Sequence, residues 1–193
     1  MGFNLCGHIG LSMIAAAYNG GVDILRYIWE SSGATTGTTT AGDLRDAALA
    51  SFPGQWIARS YVWEEVITMD NSGHDPIVEN YRWYNADSNV AAESLKEKLR
   101  MGHYVMALVK MQYDYGHGDS RTGWSEVIST GNTPHWVVIT GFSAPWNNND
   151  PSSSYNWIRI NNPYNNRVEY YPWMHFYDSL VAYSLVEIWP GHL

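Results

Sequence analysis

Three polar side chains in this sequence have the types that cysteine-based catalysis uses: a thiol, an imidazole and an amide. Cys6 is the only cysteine among the 193 residues, and it opens the apolar run CGHIGLSMIAAAY. His135 begins the run HWVVITGF, and Asn162 follows the predicted strand WIRIN. A thiolate is a nucleophile, an imidazole can take and return its proton, and an amide can orient the imidazole. Together the three residues predict acyl transfer through a cysteine.

A lone cysteine also has a simpler interpretation, because free cysteine usually behaves as a small buried hydrophobe. Cys6 becomes a catalytic candidate only together with histidine and asparagine elsewhere in the chain. His8 is a poor base for it, since residues two apart on a helix do not face each other. His103, His117 and His175 are isolated in the sequence, and we expect them to be structural or exposed.

The elements that must position these residues are one helix and two strands. Residues 4–18 are small or apolar on nearly every face, which predicts a helix buried on all sides. Cys6 would lie in its first turn, where unpaired N–H groups and the helix dipole favour thiolate. The runs HYVMALVKM and HWVVITGF are apolar enough for central strands of a sheet. His135 would therefore face Cys6 from an adjacent sheet.

Periodicity and capping residues predict the remaining elements. The other predicted helices are 22–29, 44–52, 88–100 and 171–180, the first strands are 56–63 and 77–84, and the last are 157–161 and 182–189. Residues 112–134 and 143–154 are predicted loops. The sequence thus predicts one α+β domain over residues 1–193. Its N-terminal helical part, with a buried central helix, packs on an antiparallel sheet.

Composition narrows the possible functions. The net charge of −8, with only 11 Lys and Arg, argues against nucleic acid as a partner, since phosphate binding needs clustered cations. No apolar run is long enough to span a membrane. The 10 Trp and 14 Tyr, with loops rich in Asn, Gly, Ser and Thr, favour a soluble protein that is secreted or at the cell surface, with a cytoplasmic protein as the alternative.

No cofactor or metal is expected from the motifs present. A phosphate-binding glycine loop, a zinc motif and a Gly-x-Ser-x-Gly elbow are all missing from the sequence. The oxygen-rich stretch at residues 147–150 does not fit a calcium loop, and turn chemistry explains it better.

Four segments, in this order, resemble the landmarks of papain-like cysteine peptidases: CGHIGLSMIAAAYNG, EKLRMGHYVMALV, HWVVITGF and IRINNPYNNRVEYYPWMHF. The likeness is strongest to soluble relatives of the bacteriocin-leader-processing family, family thirty-nine of the cysteine peptidases, and it covers nearly the whole chain. The resemblance implies a papain-like fold. It also implies a peptidase in which Cys6 is the nucleophile, His135 the general base and Asn162 the orienting residue.

Two features depart from that family's pattern. Asn162 stands where these relatives usually have aspartate, so the imidazolium would be stabilised less, although papain itself uses asparagine. In that family a glutamine of the oxyanion hole precedes the catalytic cysteine. The spacing between the two is longer than the stretch of this sequence that precedes Cys6. That glutamine either belongs to a preceding segment of a longer polypeptide or has no counterpart. Asn4 is the nearest substitute, beside the backbone N–H of Cys6.

The expected function is hydrolysis of peptide or amide bonds through a thioester intermediate, with a peptide or protein as substrate. Trp124 and Trp136 are candidates for the walls of the substrate cleft. The first alternative is a weakly active or inactive papain-like module that binds peptide or cell-wall material. The second is a transglutaminase-like acyltransferase, which also orders Cys, His and Asp, but with a much shorter separation between cysteine and histidine.

Overall fold

The computed structural model describes residues 6–19, 39–52, 54–62, 65–80, 87–111, 118–119, 124–125, 133–163 and 167–191. Within them, strands form a ten-stranded sheet. In chain order the strands are β1 (Trp56–Val62), β2 (Glu65–Asp70), β3 (Ile77–Asn80), β4 (Tyr104–Met111), β5 (Gly118–Asp119), β6 (Trp124–Ser125), β7 (Thr133–Phe142), β8 (Trp157–Asn162), β9 (Arg167–Pro172) and β10 (Leu180–Pro190). Their order across the sheet is β3-β2-β1-β10-β4-β7-β8-β9-β6-β5. Neighbouring strands pair antiparallel, except that β6 is parallel to β9.

Helices cover both faces of this sheet. Those in the described part of the chain are α1 (Cys6–Asn19), α2 (Ala41–Ser51), α3 (Ser88–Arg100) and α4 (Trp173–Ser179). Helices α1 and α2 share a core cluster with Met106, whereas α3 and α4 share another with Ala107. Successive side chains of a strand point to opposite faces, so the two helix pairs lie on opposite faces. The predicted α+β class, with helices packed on a largely antiparallel sheet, is confirmed.

None of the helices in the described ranges is long and apolar enough to cross a bilayer.

The two predicted central strands are buried on both faces. On β4, Val105 and Ala107 belong to the α3 side of the sheet, and Met106 belongs to the α1 side. On β7, Val137 belongs to the α3 side and Val138 belongs to the α1 side. A strand buried on both faces has no polar side, and this is why HYVMALVKM and HWVVITGF are continuous apolar runs rather than alternating ones.

Helix α1 packs closely against the sheet through its glycines. A Cβ on Gly7 would lie 2.9 Å from a Leu44 methyl and 3.2 Å from the Trp136 ring, and a Cβ on Gly10 would lie 2.5 Å from Met106. Side chains at these positions would push the helix outward. The two glycines therefore allow α1 to approach the sheet closely.

Burial on all sides of α1, however, was a wrong expectation. Leu11, Ile14 and Ala15 are buried, whereas Ala16 and Ala17 are exposed. Alanine carries too little apolar surface to forbid a position in solvent, so a helix without a polar stripe can still have an outer side.

Other local predictions have mixed outcomes. Thr40 caps α2 with a capping box in which Asp43 takes the place of the usual glutamate: Asp43 N donates to Thr40 Oγ1 at 3.1 Å, and Thr40 N donates to Asp43 Oδ2 at 2.8 Å. The strand predicted at 77–84 is β3, which is exposed along its length as an edge strand rather than half-buried. Strands β2 and β9 were not predicted. The helix predicted at 22–29 lies outside the described residues.

A buried carboxylate ties α3 to the sheet. Glu187 on β10 accepts hydrogen bonds from Lys98 Nζ at 2.9 Å and from the hydroxyl of Tyr61. His103 Nδ1 lies 2.6 Å from its other oxygen. Burial raises the pKa of Glu187, but the charge of Lys98 and the hydrogen bonds from Tyr61 and His103 lower it more, so this pKa lies below the ordinary 4.5. The fold therefore holds Glu187 as a paired anion.

Candidate active site

The pairing of β7 with β8 brings His135 and Asn162 together. Val138 lies opposite Asn161, so Asn162 lies opposite Val137. Val137 and His135 are two apart on β7 and share a face, so the side chains of Asn162 and His135 lie on the same face of the sheet. His135 Nε2 lies 2.7 Å from Asn162 Oδ1, and both side chains are 2% exposed. The imidazole is therefore held by the amide in a site from which water is largely excluded.

The first turn of α1 brings Cys6 to the β7 backbone next to His135. The backbone N–H of Trp136 donates to Cys6 Sγ at 3.4 Å. Because that nitrogen is two covalent bonds from the Cα of His135, the sulfur lies within about 6 Å of this Cα. The structure thus brings Cys6 of α1 to the backbone next to His135, and it joins the side chain of His135 on β7 to that of Asn162 on β8.

The environment of Cys6 does not favour the thiolate in the resting protein. Burial raises the pKa of the Cys6 thiol above its ordinary 9.0, although N–H groups of Trp136, Gly7 and Cys6 itself act to lower it. The expected effect of the helix N-terminus is therefore present but outweighed. Desolvation of a charged sulfur costs more here than the helix-end N–H groups return, so the prediction of a resting thiolate is corrected.

The imidazole of His135 is neutral at neutral pH for the same reason. Burial lowers the pKa of His135 below its ordinary 6.5, whereas the hydrogen bond to Asn162 and the negative charge of Glu169 act to raise it. A neutral thiol and a neutral imidazole are the resting forms that a general-base mechanism requires. In such a mechanism the proton moves as the nucleophile attacks.

Alkylation of Cys6 by iodoacetamide is expected to accelerate with rising pH and to level off only above pH 9.0, because burial raises the pKa of the thiol beyond that value and only the thiolate reacts. Since the chain has a single cysteine, the intact mass reports Cys6 alone. Alkylation in denaturant serves as the control, and its plateau should come at lower pH. A plateau below neutral pH in the folded protein would instead mean a resting thiolate–imidazolium pair.

Two residues that the sequence analysis did not identify extend the network. Asn162 Nδ2 donates to Glu169 Oε2 at 3.0 Å, and the hydroxyl of Tyr171 donates to the same oxygen at 2.5 Å. Both residues lie on β9, opposite Ile160 and Ile158 of β8. They are buried, with exposures of 4% for Glu169 and 2% for Tyr171. The sequence signal for them was weak, because β9 itself was not predicted.

The candidates for substrate contact have different outcomes. Trp136 is 1% exposed, and its ring packs beside Gly7 while its indole N–H donates to the carbonyl of Thr39. Its side chain belongs to the core rather than to a cleft wall, and only its backbone N–H reaches the site. Trp124 lies on β6, where its backbone pairs with Tyr170, and its contact with substrate stays a prediction. Asn4 lies outside the described residues.

No group of three or more His, Cys, Asp or Glu side chains is placed to hold a metal ion within the described ranges. The loop at residues 147–150 uses its oxygens in turns, as expected. Asn147 Oδ1 accepts from Asn149 N at 3.0 Å, and Asp150 Oδ1 accepts from Ser152 N at 3.0 Å.

Comparisons of this chain with protein families, with curated proteins and with solved structures return no match.

Proposed function

We propose that this chain is a papain-like cysteine peptidase, which hydrolyses peptide or amide bonds with Cys6 as nucleophile, His135 as general base and Asn162 as orienting residue. One observation carries the proposal. Cys6 Sγ lies 3.4 Å from the peptide nitrogen that follows His135, and the His135 imidazole is held at 2.7 Å by Asn162. These two contacts, from three separate elements, support the proposed roles of nucleophile, base and orienting residue.

Acylation would use the imidazole nitrogen that does not face Asn162. His135 Nδ1 takes the proton of the Cys6 thiol as the sulfur attacks the carbonyl carbon of the scissile bond. A C–S bond forms, and the carbonyl π electrons move to oxygen. The backbone N–H of Cys6 is the candidate donor to that oxyanion. The C–N bond then breaks, the imidazolium gives its proton to the leaving amine, and a thioester remains on Cys6.

Deacylation would repeat these steps with water. His135 takes a proton from a water molecule, whose oxygen attacks the thioester carbon. The C–S bond breaks, the sulfur regains its proton from the imidazolium, and a carboxylic acid is released. The net reaction is hydrolysis of one amide bond, and every proton passes through His135.

The sequence resemblance to the bacteriocin-leader-processing family supports the same proposal, as does the helix-on-sheet architecture that places Cys6 at the first turn of α1. The proposed substrate is a peptide or protein. A secreted or cell-surface location is proposed with it, since the aromatic and asparagine-rich composition favours one.

Synthetic peptides of varied sequence, incubated with the full chain in ¹⁸O-enriched water, test the proposal. We expect wild type to cleave a subset and to leave one ¹⁸O atom in each new carboxyl end, as read by mass spectrometry. Cys6→Ala is expected to lower cleavage of those peptides by at least roughly 1000-fold, because no thioester can form. Ser12→Ala, on the same helix, is the matched control and should cleave normally. Cleavage by Cys6→Ala at the wild-type rate would contradict the proposal, as would no cleavage by wild type.

A peptide-binding module without catalysis is the second candidate. The burial that raises the pKa of Cys6 favours it, because a buried neutral thiol is also what an inert structural cysteine looks like. The same peptides separate the two candidates. Calorimetric binding of peptides that wild type never cleaves would support the module.

A further inference from the structure

The buried carboxylate of Glu169 sets the direction of the hydrogen bonds that end at His135. An ionised carboxylate only accepts, so the Asn162 amide turns its NH₂ group toward Glu169 Oε2, at 3.0 Å. The amide oxygen is then left facing His135, 2.7 Å from Nε2. An amide oxygen also only accepts, so Nε2 carries the proton of the neutral imidazole and Nδ1 keeps its lone pair.

The place of Glu169 in the sheet is well defined. Glu169 lies opposite Ile160 of β8, and side chains two apart on a strand share a face, so Glu169 and Asn162 lie on the same face. The hydroxyl of Tyr171 provides a second donor to Oε2, at 2.5 Å. A carboxylate that is 4% exposed is costly to bury unless such donors compensate it.

We propose that Glu169 is a positioning residue, which acts through Asn162 to hold His135 as the Nε2–H tautomer and supplies negative charge for the imidazolium formed during catalysis. The inference rests on the proposed function, because it gives Glu169 a part in the same reaction. It also accounts for an asparagine at position 162. The Asn162 amide has no charge, and the negative charge is supplied instead by Glu169, to which that amide donates a hydrogen bond.

The titratable groups on the elements around His135 are consistent with this role. They are Cys6 on α1, Glu169 and Tyr171 on β9, and Lys110 on β4, which is exposed and lies opposite Pro134. Burial lowers the pKa of His135, and Glu169 acts against that effect. Removing the Glu169 charge should therefore lower the pKa of His135 further. The acid limb of kcat/KM should move to lower pH, and the rate on the plateau should fall because the imidazolium is stabilised less.

The test uses the full chain with ¹⁵N-labelled histidine and follows the His135 imidazole by NMR. We expect the Nε2–H tautomer in wild type. In Glu169→Gln the Asn162 amide can reverse, so we expect a mixture of both tautomers and an imidazolium population at a given pH on the order of tenfold smaller. Glu79→Gln, on the exposed strand β3, is the matched control and should leave both quantities unchanged.

Two further variants distinguish a specific effect of Glu169 on the His135 tautomer from a general loss of structure around the site. Asn162→Asp/Glu169→Gln moves the acceptor-only group next to His135, and it should restore the Nε2–H tautomer even if Glu169→Gln alone folds poorly. Tyr171→Phe removes the hydrogen bond that Tyr171 donates to Glu169 but keeps the charge of Glu169. His135 in this variant should retain the wild-type tautomer. Failure of the double variant to restore the tautomer, in folded protein, would overturn the inference.

Kinetics with a cleaved peptide complete the test and keep the two proposals separate. For Glu169→Gln we expect kcat/KM on the plateau to fall on the order of tenfold, the factor that corresponds to one pKa unit, with the acid limb at lower pH. Normal kinetics and an unchanged tautomer in this variant would overturn the inference and leave the peptidase proposal standing. A changed tautomer in a chain that cleaves no peptide would support Glu169 as the residue that positions His135, while the peptidase proposal failed.

Discussion

Replacing His135 by alanine is expected to lower kcat/KM for peptide hydrolysis at neutral pH by roughly 10²- to 10⁴-fold. Two effects combine in this loss. The pKa of the Cys6 thiol is raised by burial, so without a base almost no thiolate is present. The leaving amine also loses its proton donor. The measurement is the pH profile of kcat/KM for a peptide that wild type cleaves.

His175→Ala is the matched control for this prediction, because His175 is exposed on α4 and we assign it no part in the reaction. It should cleave at nearly the wild-type rate. The deficit of His135→Ala should also shrink as pH rises past 9.0, the ordinary value of the thiol, because hydroxide can then remove the proton. An equal loss in both variants would mean that the effect is on folding rather than on proton transfer.

Replacing Glu187 by glutamine is expected to lower the free energy of unfolding by roughly 3 kcal/mol, since removing one partner of a buried ion cluster leaves the other charges uncompensated. Lys98 Nζ lies 2.9 Å from this carboxylate, and the neutral amide cannot balance the charge of Lys98. Urea unfolding followed by circular dichroism measures the loss. Glu97→Gln is the control, because Glu97 is 64% exposed and its pairing with Arg100 lies at the surface.

The contribution of Glu187 should depend on pH in a definite direction. Its pKa in the folded protein is lowered from 4.5, so folding favours the ionised form. This stabilisation is complete above the unfolded value and is lost as pH falls through the lower, folded value. The difference in unfolding free energy between wild type and Glu187→Gln should therefore shrink below pH 4.5. A difference that grew in acid would rule out a paired anion.

Those parts of the fold that depend on local pattern could be predicted from the sequence. Strands β4 and β7 were evident as continuous apolar runs because both of their faces are covered. The start of α2 also depends on local residues, because Thr40 and Asp43 form a cap within one turn of the chain. Such signals need only neighbouring residues, so a single sequence contains them.

Neither the order of strands across the sheet nor the side of β9 that is buried could be predicted from the sequence. In VEYY the apolar and polar positions suggest that Glu169 faces solvent, yet Glu169 is buried while Val168 and Tyr170 are each 40% exposed. The pairing of β9 with β8 decides the matter, since it sets Glu169 beside Asn162. That pairing is a tertiary fact and leaves no local pattern.

The candidate site divides in the same way. Residue type and order were enough to single out Cys6, His135 and Asn162 as candidates, because the proposed acyl transfer would need these chemical groups. Their ionisation was not predictable, since it depends on burial, and burial reverses the expectation of a resting thiolate at Cys6. Trp136 was chosen for its aromatic ring, but its contribution to the site is a backbone N–H.

The joint action of Cys6 and His135 is tested most directly by trapping the acyl group on the sulfur. Wild type and His135→Ala are mixed with a panel of N-acyl amino acid p-nitrophenyl esters, quenched in acid, and mapped by peptide mass spectrometry. We expect a burst of p-nitrophenolate equal to the enzyme concentration and a hydroxylamine-sensitive acyl group on Cys6 in wild type. Both should be nearly lost in His135→Ala. Equal acylation of Cys6 in the two proteins, or burst turnover with Cys6 unmodified, would contradict this joint action.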